Sequence, residues 1–228
     1  MTAVHGPLGF TDLDREGMLV EGFNELGTMA TYYNHPYYPQ HLEKIGYTKD
    51  IDWMEYEITV PAEPNETIAR IADLARRRNH LSLLHLQNKK EMLPYTKELF
   101  QLLQDEYQHL YGFIPMTERQ VKAYIDQYFG FVNPDFVPMV MDQNNRMVAF
   151  GIVMPSLSLA LQKSHGQLFP IGFIHLIRAL KKNDRADLLL VAVRSEYQGK
   201  GVNAMIMNQM HLVFNKLGIT KVESNPEL

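Results

Sequence analysis

Residues 191–203 read Val-Ala-Val-Arg-Ser-Glu-Tyr-Gln-Gly-Lys-Gly-Val-Asn, an order that sets up anion chemistry. An apolar run leads into a turn with glycines at 199 and 201, and the turn opens an amphipathic helix. A helix N-terminus leaves backbone N–H groups without intrahelical acceptors, and its dipole favours negative charge. Glycine lets a ligand's oxygens approach the main chain closely. The stretch is therefore a candidate phosphate cradle, with the amides of Gly199, Lys200, Gly201, Val202 and Asn203 as donors. A nucleoside-triphosphate loop is excluded, because Lys200 is followed by Gly201 rather than Ser or Thr. A dinucleotide fingerprint fails at Asn203-Ala204, where its third glycine is required.

Groups able to move protons are fewer. Glu196 lies beside the turn and Asp187 at the start of the apolar strand. Either can act as a base. Glu196 is equally an ordinary loop acid, and Asp187 equally a partner of Arg185 or a solvated carboxylate. Tyr37 and Tyr38 can donate a proton, and as neighbouring aromatics in a turn they can equally serve packing. The nine histidines include no pair at metal-binding helical spacing. His35 and His41 sit in one polar segment, where surface positions explain them, and no metal site is expected. With no cysteine in the chain, disulfides, thiolate catalysis and thiolate-ligated metals are excluded, which fits a reducing cytoplasm.

The 228 residues suffice for a sizeable core, at 46% hydrophobic and 21% charged. A net charge of −4 argues against a general nucleic-acid surface. No apolar run reaches the roughly 20 residues of a membrane helix, and the N-terminus lacks the pattern of a signal peptide. A cytoplasmic protein that does not span a membrane is the expectation.

The elements that must position these residues follow from periodicity and punctuation. Residues 6–60 read as short strands and turns with one helix at 39–44, ended by Gly46. Residues 53–60 alternate like a strand, Gly17 to Gly22 reads as a buried strand between turns, and Pro61 to Pro64 is an internal stop. Helices are predicted at 65–78, 89–111 and 117–128, the last opened by Thr117 with Gln120 in capping-box position. Strands are predicted at 80–86, 136–141 and 147–154, the last two joined as a hairpin. An apolar helical insert fills 155–184. Then come a near-continuous apolar strand at 188–193, the glycine turn, a helix ended by Gly218, and a strand at 221–224.

From His80 onward, this element order and the Gln198-Gly199-Lys200-Gly201-Val202-Asn203 turn resemble the GNAT superfamily of acyl-CoA-dependent N-acyltransferases. The family signature is Arg/Gln-x-x-Gly-x-Gly/Ala, and Asn203 departs from it at the last position. The resemblance implies a mixed α/β fold, with a central, mostly antiparallel sheet flanked by helices. It implies that the turn holds the pyrophosphate of acetyl-CoA or another acyl-CoA, and that Val191, Ala192 and Val193 offer backbone groups to the pantetheine arm. The family's thiolate acid is often a tyrosine four residues before a Gly-Phe pair. Here Leu42 stands four residues before Gly46-Tyr47, so that acid is missing from its place and Tyr37 and Tyr38 are the nearest substitutes.

Gly6 to Phe10, Gly17 to Gly22 and Tyr33 to Tyr38 look like the C-terminal half of another such unit, as in bacterial tandem GNAT-like proteins. Residues 1–63 then form a C-terminal-half-like segment, and 64–228 an acyl-CoA-binding unit lacking its final strands. Either the two complete one composite sheet, or a second copy of the chain covers the open edge as a homodimer. The implied reaction is N-acylation of an unidentified amine, small or lipid. A catalytically silent binding module is the alternative. The apolar insert at 155–184 reads as a helical cap on the sheet, or as a lid for a hydrophobic acceptor or longer acyl chain.

Overall fold

The structure, a computed structural model, describes residues 3–11 and 13–227. In chain order the strands are β1 (Glu57–Thr59), β2 (Ser82–Leu83), β3 (Met139–Met141), β4 (Met147–Pro155), β5 (Arg185–Val193) and β6 (Lys221–Ser224). They make one sheet in the order β1-β6-β5-β4-β3-β2. Only the β5–β6 pair is parallel. The helices are α1 (Tyr37–Lys44), α2 (Glu66–Arg78), α3 (Leu93–Tyr107), α4 (Glu118–Tyr128), α5 (Ser158–Lys163), α6 (Gly172–Lys181) and α7 (Val202–Leu217). The chain thus adopts the mixed α/β class read from its sequence, with a mostly antiparallel sheet flanked by helices.

Two apolar layers sandwich the sheet, and strand alternation assigns side chains to them. Val140 of β3 joins α2 and α7 on one face, where Ala72, Ala75, Met205, Met210 and Phe214 are buried. Met139 and Met141 turn to the other face and meet Leu99, Leu102 and Leu103 of α3. Leu102 and Leu103 are fully buried, each contributing about 1.5–3 kcal/mol of burial.

Local signals explain the helix ends. The Asn65 side chain accepts from the Thr67 and Ile68 N–H groups and starts α2. Thr117 and Gln120 form the reciprocal capping box of α4. The helix predicted at 89–111 is shorter: a 3-10 turn, Lys89–Met92, precedes α3, which opens at Leu93-Pro94 and stops at Tyr107. Gly218, at φ 75°, closes α7.

Three of the predicted strands shorten or do not form in the structure. The strand expected at 53–60 narrows to β1, extended by a single bridge from Met54 to Glu227. The strand at 80–86 narrows to two residues, because His80 takes φ 52°. Gly17 to Gly22 forms no strand: both glycines have positive φ, and Val20 is exposed. Alternation marks a strand only where a neighbour supplies the ladder, and these residues have none.

The N-terminal stretch nonetheless joins the sheet. Ile58 lies opposite Val222 in β6. The flanking pairs are bonded, Ser224 N–H to the Tyr56 carbonyl at 2.9 Å and Val60 N–H to the Thr220 carbonyl at 2.8 Å. Arg185 binds Glu57 at 2.7 Å and Glu223 at 3.2 Å across the same three strands. These pairs are partly exposed and add tenths of a kcal/mol rather than the main stability. In Ile58→Pro the residue loses the N–H that the register directs at Val222. We expect a loss of about 1–3 kcal/mol and a Tm lower by roughly 2–10 °C. An unchanged Tm by calorimetry would show that β1 contributes nothing to the folded sheet.

Candidate active site

Strand β5 enters the glycine turn through a 3-10 turn, Ser195–Tyr197. Gly199 and Gly201 take φ 71° and 80°, the left-handed region open to glycine. A Cβ on Gly201 would lie 2.9 Å from Ile71 Cγ2, so this glycine also lets α2 pack against the turn. A Cβ on Gly199 would meet nothing within 4 Å. Gly201 is the N-cap of α7 and supplies no side-chain acceptor. Lys200 N–H bonds the Tyr197 carbonyl and Ala204 N–H the Gly201 carbonyl. Among the described residues, the N–H groups of Gly199, Gly201, Val202 and Asn203 have no protein acceptor. They open onto a cleft of about 470 Å³ that Val191, Val193 and Gln198 also line.

Ala192 and Lys200 stand apart from that cleft. Ala192 is buried against α3, and the Lys200 ammonium sits 5.4 Å from the Tyr197 ring centre. The Gln198 side chain is committed inside the protein: its Nε2 donates to the Val193 carbonyl at 3.0 Å and to Glu106 at 3.2 Å. Glu106, at the end of α3, also accepts from the Ser195 N–H at 3.0 Å and Ser195 Oγ at 2.7 Å. One carboxylate therefore latches α3 to the turn. Buried Arg194 completes the latch, donating from Nε to the Met147 carbonyl at 2.7 Å. Sequence reasoning missed Glu106, because an acid on an exposed helix end carries no local mark of such a role.

Upstream of the turn the sheet forks. β5 and β6 pair from Arg185 opposite Lys221 to Leu188 opposite Ser224, and no further. Asn225 holds the fork, its N–H bonding the Leu188 carbonyl at 3.1 Å and its Nδ2 the Leu189 carbonyl at 2.8 Å. Beyond it the edge of β5 away from β4 has no strand partner. Arg194 N–H bonds the Val148 carbonyl of β4, so backbone groups of alternate residues Val191 and Val193 point to that open edge. Tyr107 Oη donates to the Val191 carbonyl there at 3.0 Å.

Three acids gather at the closed end of the fork. Asp187 is 1% exposed, and neither of its oxygens completes a hydrogen bond. Burial pushes it up to about 6; the Ser156 hydroxyl nearby offsets part of this, and Glu223 adds to it. Glu55, whose surface remains exposed toward the cavity, is pushed up to about 7, first by partial desolvation among its neighbours, then by the charges of Glu223 and Asp187. The side-chain oxygen of Asn225 is likewise buried without a partner. The fork opens into a cavity of about 2880 Å³ between the N-terminal stretch, the insert and the sheet. Glu55, Glu223, Asn225, Leu189, Leu190 and Tyr107 line its sheet side, and Leu157, Leu161, Leu176 and Leu180 line it from the insert.

The other acid–base candidates lie elsewhere. Tyr37 and Tyr38 open α1 and are half exposed; Tyr37 stacks on His35 at 5.6 Å, with His41 at 5.3 Å on edge. Neither tyrosine lines the cleft or the cavity. Glu196 makes an exposed ion pair with Arg146 at 3.1 Å and lines neither space. Among the described residues no cluster of three His, Asp or Glu side chains is placed to hold a metal ion.

The sheet and its flanking helices have the fold of solved GCN5-related N-acetyltransferases. The chain matches the GCN5-related glucosamine N-acetyltransferase region of a fungal multi-domain GH3 β-N-acetylglucosaminidase with a TM-score of 0.53 and 14% identity, covering 83% of this chain and 20% of that one. A GCN5-related N-acetyltransferase from Sphaerobacter thermophilus matches with a TM-score of 0.50 and 11% identity, over 82% and 45% of the two chains. In sequence the chain is similar to Protein YghO of Escherichia coli (strain K12), 26% identical over 208 residues, which are 89% of this chain and 52% of that protein. It is also similar to a bacterial ceramide synthase of Caulobacter vibrioides (strain NA1000 / CB15N), 24% identical over 208 residues, 85% of this chain and 50% of that protein. The chain spans about half the length of these curated relatives. No family model matches it.

The buried acid yields a direct test. A folded-state pKa of about 6 against 3.8 means that unfolding releases a proton between those values, so stability falls as pH rises through that window. The full cost of the buried charge is then present above about pH 6, on the order of 3 kcal/mol. Asp187→Asn should raise Tm at pH 8, and the gain should vanish below pH 4, as followed by thermal melts across pH. A destabilised variant at pH 8 would mean that Asp187 is held by favourable charge interactions.

Proposed function

We propose that this chain carries the acyl-transfer unit of an acyl-CoA-dependent N-acyltransferase whose acceptor is a lipid amine. The carrying observation is the continuity of the free amides at Gly199, Gly201, Val202 and Asn203 with an unpaired β5 edge that ends at the fork. The amides suit a pyrophosphate, and the edge at Val191 and Val193 suits the amide groups of a pantetheine arm. About 13 Å of strand separates Val193 from Leu189. An arm lying along it delivers a thioester to the fork.

In this reading Glu55, which lines the cavity, accepts the proton that an ammonium group must lose before its nitrogen attacks the thioester carbonyl, and buried Asp187 behind it acts on Glu55 through its charge. Asn225 Oδ1 offers an acceptor that orients the amine. As the new C–N bond forms and the C–S bond breaks, the nitrogen gives up its second proton and the leaving sulfur takes one; the Tyr107 hydroxyl at the strand edge can pass that proton on, giving its own to the sulfur and recovering one from the nitrogen. Tyr107 thereby takes the part that sequence reading offered to Tyr37 or Tyr38, and Glu55 the part that it offered to Glu196 or Asp187. The apolar cavity behind the fork, together with the similarity to a ceramide synthase, favours a lipid amine and a long acyl chain over a small amine and acetyl-CoA.

The pairing of β1 with β6 supports reading residues 1–63 and 64–228 as one composite unit, and it occupies the edge that a second copy would otherwise cover. A cytoplasmic location follows from the acyl-CoA donor as part of the same proposal.

Thermal-shift titrations with free CoA, acetyl-CoA and palmitoyl-CoA test the donor. Saturable stabilisation is expected, about 2.7 kcal/mol at a hundredfold excess over Kd, and strongest for the long chain. Gly199→Val strains the turn and crowds the cradle without touching the core, and should weaken the shift at least tenfold in concentration. No shift with any thioester overturns the proposal. With a long-chain amino alcohol as acceptor, CoA release should rise as pH passes through about 7, where Glu55 loses its proton. Asp187→Asn with Glu55→Gln should remove that rise; an unchanged profile assigns the base elsewhere.

A further inference from the structure

Helix α6 is apolar on two sides. Leu176 and Leu180 face the large cavity. On the outside Ile174, Ile177, Arg178 and Lys181 follow the three- and four-residue spacing of one stripe, all exposed. The loop ahead of the helix extends the same character: Phe169 is 78% exposed and Ile171 62%. Single exposed apolar residues are ordinary, but a contiguous group of this size marks a docking surface.

Charge identifies what docks. No Asp or Glu occurs between Asp142 and Asp184, whereas Lys163, Arg178, Lys181 and Lys182 all fall within the insert. The chain as a whole carries −4, so its cations are concentrated against the general trend. An apolar stripe bordered by cations and free of acids complements a surface with an apolar interior and anionic rim. No helix among the described residues is long and apolar enough to cross a membrane, so the contact lies in the surface plane.

We propose that the α5–α6 insert seats the protein on an anionic lipid bilayer. Phe169, Ile171, Ile174 and Ile177 enter the headgroup–acyl boundary, and Arg178, Lys181 and Lys182 meet lipid phosphates. This rests on the lipid-amine reading above, since the wall that touches the bilayer also lines the cavity through Leu176 and Leu180. A water-insoluble amine then passes from bilayer to cavity around a single helix.

Vesicle flotation tests it, using phosphatidylcholine alone and mixed with phosphatidylglycerol. The protein should float with the mixed vesicles, bind the neutral ones weakly, and be released as salt is raised. Lys181→Glu with Lys182→Glu should weaken binding at least tenfold, since each surface cation is worth about 1 kcal/mol near such a membrane. Phe169→Glu with Ile171→Glu should abolish it. None of the four positions lines the cleft or cavity, so each variant should keep its Tm and its acyl-CoA thermal shift. Flotation unaffected by either pair, or absent in the parent protein, overturns the proposal. So does a change of oligomeric state on ultracentrifugation of Phe169→Glu/Ile171→Glu, which would assign the face to a protein interface. A retained acyl-CoA shift without flotation sinks only the bilayer seat, and flotation without the shift sinks only the donor site.

Discussion

The release of β6 from β5 after Leu188 is the constraint around which the rest of the molecule is arranged. A central strand left unpaired on one side carries backbone groups that cost about 1–3 kcal/mol each when buried without partners. The chain satisfies the carbonyls with side chains from three directions: Asn225 at Leu189, Tyr107 at Val191 and Gln198 at Val193. The alternate N–H groups remain directed at the open edge. That pattern leaves donors for an extended ligand while closing the acceptors. It also explains why Gln198 is occupied within the protein: its side chain holds the strand end in the geometry that frees the turn's amides.

The same fork fixes where the acids must sit. Where β5 and β6 remain paired, side chains at their start are covered by β1 and by the end of β4, and Asp187 is buried opposite Glu223 and Met154. An apolar residue there would raise stability, since the carboxylate lies in low dielectric without a completed hydrogen bond. Perturbed carboxylates beside an open cleft are a recurring mark of proton-transfer sites, where stability is given up for reactivity. The neighbouring Arg185 is drawn to Glu57 and Glu223, which leaves Asp187 without the guanidinium that sequence proximity offered it.

What the sequence revealed and what it hid divide along chain separation. The glycine turn, the amphipathic α7, the Thr117 capping box and the apolar β5 are local patterns, and each appears where spacing put it. The fold class followed from their order. The residues that complete the fork are contributed from far away: Tyr107 meets Val191 across 84 positions, Glu106 meets Ser195 across 89, and Tyr56 meets Ser224 across 168. No periodicity within a window of a dozen residues reports such pairs. The same limit explains Glu196, which is close to the turn in sequence yet is drawn outward by Arg146.

The insert shows how one element can serve the interior and the exterior together. A helix on a soluble protein ordinarily buries one stripe and wets the other. α6 instead separates an apolar cavity from solvent, with leucines inward and isoleucines outward, so it acts as a wall rather than a cap. Its position is set at Gly172, where a Cβ would lie 1.8 Å from the Gln167 carbonyl oxygen. The preceding loop therefore folds directly against the helix start, and any side chain there must drive the two apart. Close packing at that glycine keeps Phe169 and Ile171 presented beside the helix rather than folded beneath it. The apolar exterior is thus held in place by the backbone itself, on the side of α6 opposite the leucines that line the cavity.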